Sequence, residues 1–287
     1  MTGAAPSVSG AVCDYSQFGA LNAMMIYPNF QCYPERFDVT EAEKKAILVT
    51  HNKMRMKVAM GFEERGSPGP QPSAANMREL TWDDELAQLA QAWANQCSFS
   101  HDDYASRQTC KYSIIGQNLL IKDVTDMEIS EAIDWPLTVH EWYSEVAFHP
   151  NAWVQQFTSL HNGEDATGHY TQVVWADTDK VGCGAVRFDN QALFVCNYAT
   201  EGNLKEQPVY QEGKPASACT AGPSNFYPGL SYGLPKALNR KLHISSFAKT
   251  ASMKMSILNR LRIRQYTYVY ASLLQCSHNE YLYRPAT

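Results

Sequence analysis

The stretch GHYTQVVWADTDKVGCGAV, residues 168–186, sets a histidine behind a glycine, then a short apolar run, then a cysteine between two glycines. His169 carries an imidazole that titrates near neutral pH, so it can serve as a base, a proton shuttle or a zinc ligand. Cys183 carries a thiol that can be a nucleophile or half of a disulfide. The rest of the chain narrows these chemistries. No C-x-x-C pair occurs, which argues against a zinc ribbon or a thioredoxin-type redox site. No compact H-E-x-x-H metal motif is present, and no G-x-S-x-G element is expected. On chemistry alone, His169 reads equally well as a residue that packs or caps a short helix.

The elements around these residues set their geometry. Tyr170–Trp175 reads as a short helix, and Val181–Phe188 and Ala192–Tyr198 read as two strands around an Asp189-Asn190 turn. With that turn, residues whose numbers sum to 379 face each other, and 183 and 196 do. The pair falls on a non-hydrogen-bonded site, where Cα atoms lie about 4.5 Å apart, inside the disulfide range. A cross-strand Cys183–Cys196 disulfide is therefore expected.

Upstream, Thr40 and Glu43 form a capping box for a helix running to about Met60. GSPGPQPSAANM (66–77) is rich in helix and strand breakers. Thr81 is read as the cap of the next helix, with Asp83, Asp84 and Glu85 at its positive end. Leu86, Leu89, Ala90, Trp93, Ala94 and Cys97 make one apolar stripe along it. Residues 114–121 read as a strand, Leu137–Phe148 as a helix and 149–167 as a loop. Residues 1–39 look irregular.

The 287 residues carry a net charge of −5. Residues 231–287 hold nine Lys/Arg against one acid, net +8, leaving 15 basic and 28 acidic residues, net −13, in the remainder. Neither value indicates a nucleic-acid partner for the main body of the chain. No apolar run approaches the ~18 residues of a transmembrane helix. Eight cysteines are present, an even count that suits a disulfide framework and an oxidising compartment. Met1–Cys13 shows no basic start followed by an apolar segment, so no secretory signal is read there, and no N-x-S/T sequon occurs.

Several motifs in order resemble one family. GHYTQVVWADTDKVGCGA and FVCNYATEGN (194–203) are similar to the two signatures of the CAP superfamily of cysteine-rich secretory, antigen 5 and pathogenesis-related proteins. HNKMR (51–55), GFEERGSPGPQPSAANM (61–77), LAQAWANQCSFSHD (89–102) and GQNLL (116–120) resemble the insect venom antigen 5 subgroup. The resemblance implies an α+β fold: an α-β-α sandwich with a small antiparallel sheet, stapled by disulfides. It implies Cys13–Cys110 and Cys32–Cys97 beside Cys183–Cys196. It places a cleft tetrad at His101, Gln117, Glu145 and His169, with an amide at 117 where many relatives have an acid. The resemblance makes His101 and His169 candidate metal ligands, for zinc, and implies no required cofactor.

The function implied is that of a secreted, extracellular, non-catalytic binding protein. It would take a sterol, fatty acid, lipid mediator or protein partner. A metal-dependent hydrolase or protease using His101, Glu145 and His169 is the alternative, weakened because Gln117 cannot take a proton. An ordinary reading also stands for each member: Glu145 would pair with His149 one turn on, and Gln117 would bond backbone. Ile129, Ile133, Trp135, Leu137, Trp153, Val154 and Phe157 are candidate walls of an apolar pocket, or else core. The expected organisation is an N-terminal segment 1–39, a CAP domain 40–208, an extension 209–230 and a basic non-family tail 231–287. That tail reads as an alternative ending or as a segment for an anionic membrane surface. Ser231 stands where the extension normally has a cysteine, so Cys219 and Cys276 have no assigned partners.

Overall fold

The computed structural model describes residues 13–158, 166–218 and 221–233. Cys219, Cys276 and nearly all of the basic tail lie outside the described residues. In chain order the elements are β1 (Glu35–Phe37), α1 (Glu41–Ala59), β2 (Thr81–Trp82), α2 (Asp84–Ala94), β3 (Gly116–Asp123), α3 (Ile129–Ala132), α4 (Trp135–Ser144), α5 (Gly168–Val173), β4 (Lys180–Phe188) and β5 (Gln191–Ala199). They are distributed over two compact units. Of the described residues, the first comprises 13–44, 82–138 and 180–201, and the second comprises those within 45–81, 139–179 and 202–233.

The first unit is built on the sheet β1-β4-β5-β3, whose neighbours are antiparallel. The hairpin has the expected register: Cys183 faces Cys196, their Cα atoms are 4.1 Å apart, and the disulfide is formed. Cys13–Cys110 and Cys32–Cys97 are formed as well. The sheet departs from the expectation in one respect. Short β2 pairs with β4, and its hydrogen bonds advance in the same sense along both chains (Thr81 N to Asp179 O, Asp83 N to Val181 O), so the sheet is mixed.

That pairing also corrects the cap of α2. Thr81 is taken up by the strand, and Asp83 Oδ1 instead accepts from the backbone N–H groups of Glu85 and Leu86 at 2.9 and 3.1 Å. The stripe on α2 packs as read: Ala90 and Ala94 join Leu119, Val186, Leu193 and Val195, while Leu86 and Leu89 join Ile115 and Ala199. Close approach requires glycine on the strand below. A Cβ on Gly182 would lie 2.2 Å from Ala87 N, and one on Gly184 would lie 2.5 Å from Gln91 Cα. Buried Gln91 then fastens helix to strand, donating to Ala185 O and accepting from Ala185 N.

Residues 13–39 are more ordered than their composition suggests. Three 3-10 turns (Tyr15–Phe18, Ala23–Met25, Phe30–Cys32) are capped by Asp14, Asn22 and Asn29, and β1 adds an edge strand. Thr40 and Glu43 make the predicted capping box of α1. The helix expected over 137–148 is α4 followed by a 3-10 turn, Glu145–Phe148, the tightening common at helix ends. A further 3-10 turn, Asn151–Val154, lies in the expected loop.

Candidate functional site

The first unit positions His101 and Gln117. The chain leaves α2 through Cys97 in a left-handed conformation (φ 53°), and Trp93 Nε1 donates to Ser100 O at 2.8 Å. Just beyond His101, Arg107 and Asp102 form a buried ion pair, and Arg107 also donates to the carbonyls of Asp102 and Ile115. Burial pushes the Asp102 carboxyl up while Arg107 opposes it. Gln117 lies on β3 directly across from Asn197 on β5. Asn197 donates to Leu86 O, so its oxygen accepts from Gln117 Nε2 at 3.1 Å. The Gln117 oxygen therefore faces His101 Nδ1, 2.9 Å away. The amide oxygen requires a donor, so Nδ1 carries a proton.

The second unit positions Glu145 and His169. Thr167, at the N-cap of α5, makes no side-chain cap bond. The Glu145 carboxylate, 23 residues upstream of the helix start, supplies it. Oε2 accepts from the N–H groups of His169 and Tyr170 at 2.9 and 3.0 Å, and Oε1 accepts from His169 Nδ1 at 2.6 Å. Negative charge at a helix N-terminus is favourable. The Trp142 ring lies 6.3 Å from the His169 ring. The far end of α5 is held by Arg55. This side chain has no exposed surface and donates to the carbonyls of Arg78, Val173, Trp175, Ala176 and Thr178.

The structure thus pairs His101 with Gln117 and Glu145 with His169. The pairing of Glu145 with His149 is overturned: His149 is buried against Trp153 and Tyr170, and Glu145 turns to α5. Both histidines are oriented through a hydrogen bond at Nδ1. Among the described residues, however, no group of three or more His, Cys, Asp or Glu side chains is arranged to hold a metal ion. The residues present do not fit a zinc site of three or four protein ligands.

The spelling G-x-S-x-G does occur once, as GLSYG over residues 229–233, against the expectation. It is no nucleophile elbow. Ser231 is buried, sits in isolated bridges to Arg78 and Pro223, and is bonded through its backbone to Met77 and Glu79. Cys183 is spent in its disulfide. Among the candidate pocket walls, Trp135 packs edge-on against Phe194 and Phe157 against Trp175, and both are core, as is Val154.

Residues 48–198 match the model of the cysteine-rich secretory protein (CAP) family. The chain belongs to this family. A venom allergen 3 homolog of Dinoponera quadriceps is 44% identical over 181 residues, covering 62% of this chain and 75% of that protein. Venom allergen 5 of Dolichovespula arenaria is 42% identical over 180 residues, 61% of this chain and 83% of the relative. Among solved structures, that of NaASP2 with Zn2+ superposes with a TM-score of 0.58 at 29% identity, covering 67% of this chain and 96% of that one. The α+β fold, the CAP signatures and the venom allergen 5 likeness expected from the sequence are those the chain has. All four tetrad positions fall within the CAP match.

Three positioning groups were not read from the sequence of this CAP chain: Asn197 behind Gln117, the Arg107–Asp102 pair behind His101, and the carbonyl-binding role of Arg55. The first becomes visible once β3 is paired with β5. The other two carry no spacing signal.

Proposed function

We propose that this CAP protein is secreted and acts by binding rather than by catalysis. One observation carries the reading: Glu145, the single carboxylate of the tetrad, has both oxygens engaged by α5 and His169, while the fourth position is the amide of Gln117. A hydrolase needs a base and a nucleophile or activated water beside an oxyanion site. Here the acid is a helix cap. The disulfides support an oxidising compartment, and no helix among the described residues is long and apolar enough to cross a membrane. The ligand class we assign is small and apolar, a sterol, fatty acid or lipid mediator, with a protein partner as the other outcome. The support for that class is the CAP resemblance. Turnover of a peptide and ester panel by the purified chain tests the reading. No turnover is expected; hydrolysis abolished by Glu145→Gln would overturn it.

A further inference from the structure

His149 follows the 3-10 turn Glu145–Phe148 and has no exposed surface. Its ring packs against those of Trp153 and Tyr170, 6.0 and 5.2 Å away. Neither ring nitrogen has a hydrogen-bond partner among the described residues, which is uncommon for a buried polar group. Residues 66–71 of the same unit lie against this corner. The His149 carbonyl accepts from Ser67 N at 3.2 Å and from Gln71 Nε2 at 2.9 Å. Asn151 N donates to Pro68 O at 3.0 Å, and Asn151 Nδ2 donates to Pro70 O at 3.3 Å. The approach is close: a Cβ on Gly66 would lie 2.9 Å from His149 O. Yet none of residues 66–70 is buried. A few hydrogen bonds, rather than apolar burial, hold this segment down, the mark of a region that opens locally.

We propose that residues 66–71 are an acid-operated strap: protonation of His149 releases them from the 149–151 turn while the rest of the second unit stays folded. A buried imidazolium is costly unless it is paired and hydrogen-bonded, and no surrounding group bonds this ring. Glu63 is bonded by Lys57, Arg65 and Tyr143. Glu145 is bonded by the N-terminus of α5 and by His169. Tyr170 on α5 and Tyr210 stay protonated, since burial pushes both phenols up. Glu64, Lys205, Glu206 and Glu212 are exposed. Burial is therefore what acts on the His149 imidazole, and it pushes the ring down to about 4. The closed strap keeps the ring neutral, whereas the released strap lets it take a proton at the ordinary 6.5, so acid favours release. With those two values the ratio of released to closed molecules rises about 20-fold between pH 7 and pH 5. The strap acts apart from the tetrad, and its failure leaves the proposed binding function untouched.

Native-state hydrogen exchange of the full chain, resolved to the amides of Ser67 and Asn151, tests it. Both amides bridge the strap and the turn. Their protection, corrected for the intrinsic pH dependence of exchange, should fall about 20-fold from pH 7 to pH 5. Amides inside α1, residues 50–58, report opening of the whole unit and should stay at least tenfold better protected at each pH. In His149→Phe the protection of Ser67 and Asn151 should change less than twofold over the same range. In the wild type, the His149 ring followed by NMR should gain its proton in step with the loss of protection. Strap protection that does not move with pH overturns the proposal, as does the same pH dependence in His149→Phe. Strap amides that exchange only as fast as those of α1 overturn it in favour of global unfolding. Protonation of His149 with the strap still protected overturns it without recourse to the variant.

Discussion

At the scale of single residues, Arg55 and Glu145 hold the two ends of α5. Arg55 donates to five carbonyls from a fully buried position. A lysine there has three donors on a flexible stem and cannot reproduce the planar fork. Arg55→Lys should therefore cost at least about 3 kcal/mol, since several buried carbonyls lose their donors; urea unfolding measures it. Glu145→Ala removes a cap and should cost about 1–2 kcal/mol, while Glu145→Gln, which keeps one carbonyl oxygen, should cost less. Two further histidines, His51 and His149, are buried, and burial pushes both from the ordinary 6.5 down to about 4. The unfolded chain then takes up protons that the native state does not. Stability should be full above pH 6.5 and fall as pH drops from 6.5 toward 4, by about 3 kcal/mol per histidine at 1.36 kcal/mol per pH unit. Neither ring nitrogen of His149 has a hydrogen-bond partner, so His149→Phe should fold and should flatten part of that decline in denaturation midpoints between pH 7 and 5. A midpoint that does not move with pH in the wild type contradicts the neutral assignment.

At the scale of elements, α2 lies directly on β4 because residues 182 and 184 lack side chains. Gly182→Ala and Gly184→Ala both place a Cβ within 2.5 Å of helix backbone. Each should destabilise by about 1–3 kcal/mol, the typical cost of overpacking, visible as a lowered thermal midpoint. The elements most legible in the sequence were those specified locally. The Thr40–Glu43 box, the stripe on α2 and the Asp189-Asn190 hairpin each rest on residues a few positions apart, and the hairpin register followed by counting. Errors arose where a distant partner decided the outcome. Thr81 resembles a cap, but pairing with β4 draws it into the sheet. Glu145 was open to a local His149 partner, yet it caps a helix far along the chain. Residues 13–34 have no apolar period, and their order comes from Asx caps and disulfides. The members of the candidate site were proposed through the family signatures, and within them the His101–Gln117 and Glu145–His169 hydrogen bonds are found. Their supports were not: Asn197 and Arg55 act across long sequence separations, and Arg107 reaches Asp102 and Ile115, 5 and 8 residues away, through a turn that no regular spacing marks.

At the scale of the whole molecule, the chain is a CAP protein with a disulfide-anchored N-terminal segment and a basic tail of different composition. Within one unit His101 is bonded to Gln117, and within the other the Glu145 carboxylate is committed to His169 and the α5 terminus; the proposed function is that of a binding protein. Native mass spectrometry of the full chain, secreted from a eukaryotic host and offered a mixture of sterols and fatty acids, tests that claim most directly. The account predicts a retained apolar adduct of one small molecule, removed by organic extraction. A bare chain that takes up nothing from the mixture would contradict it.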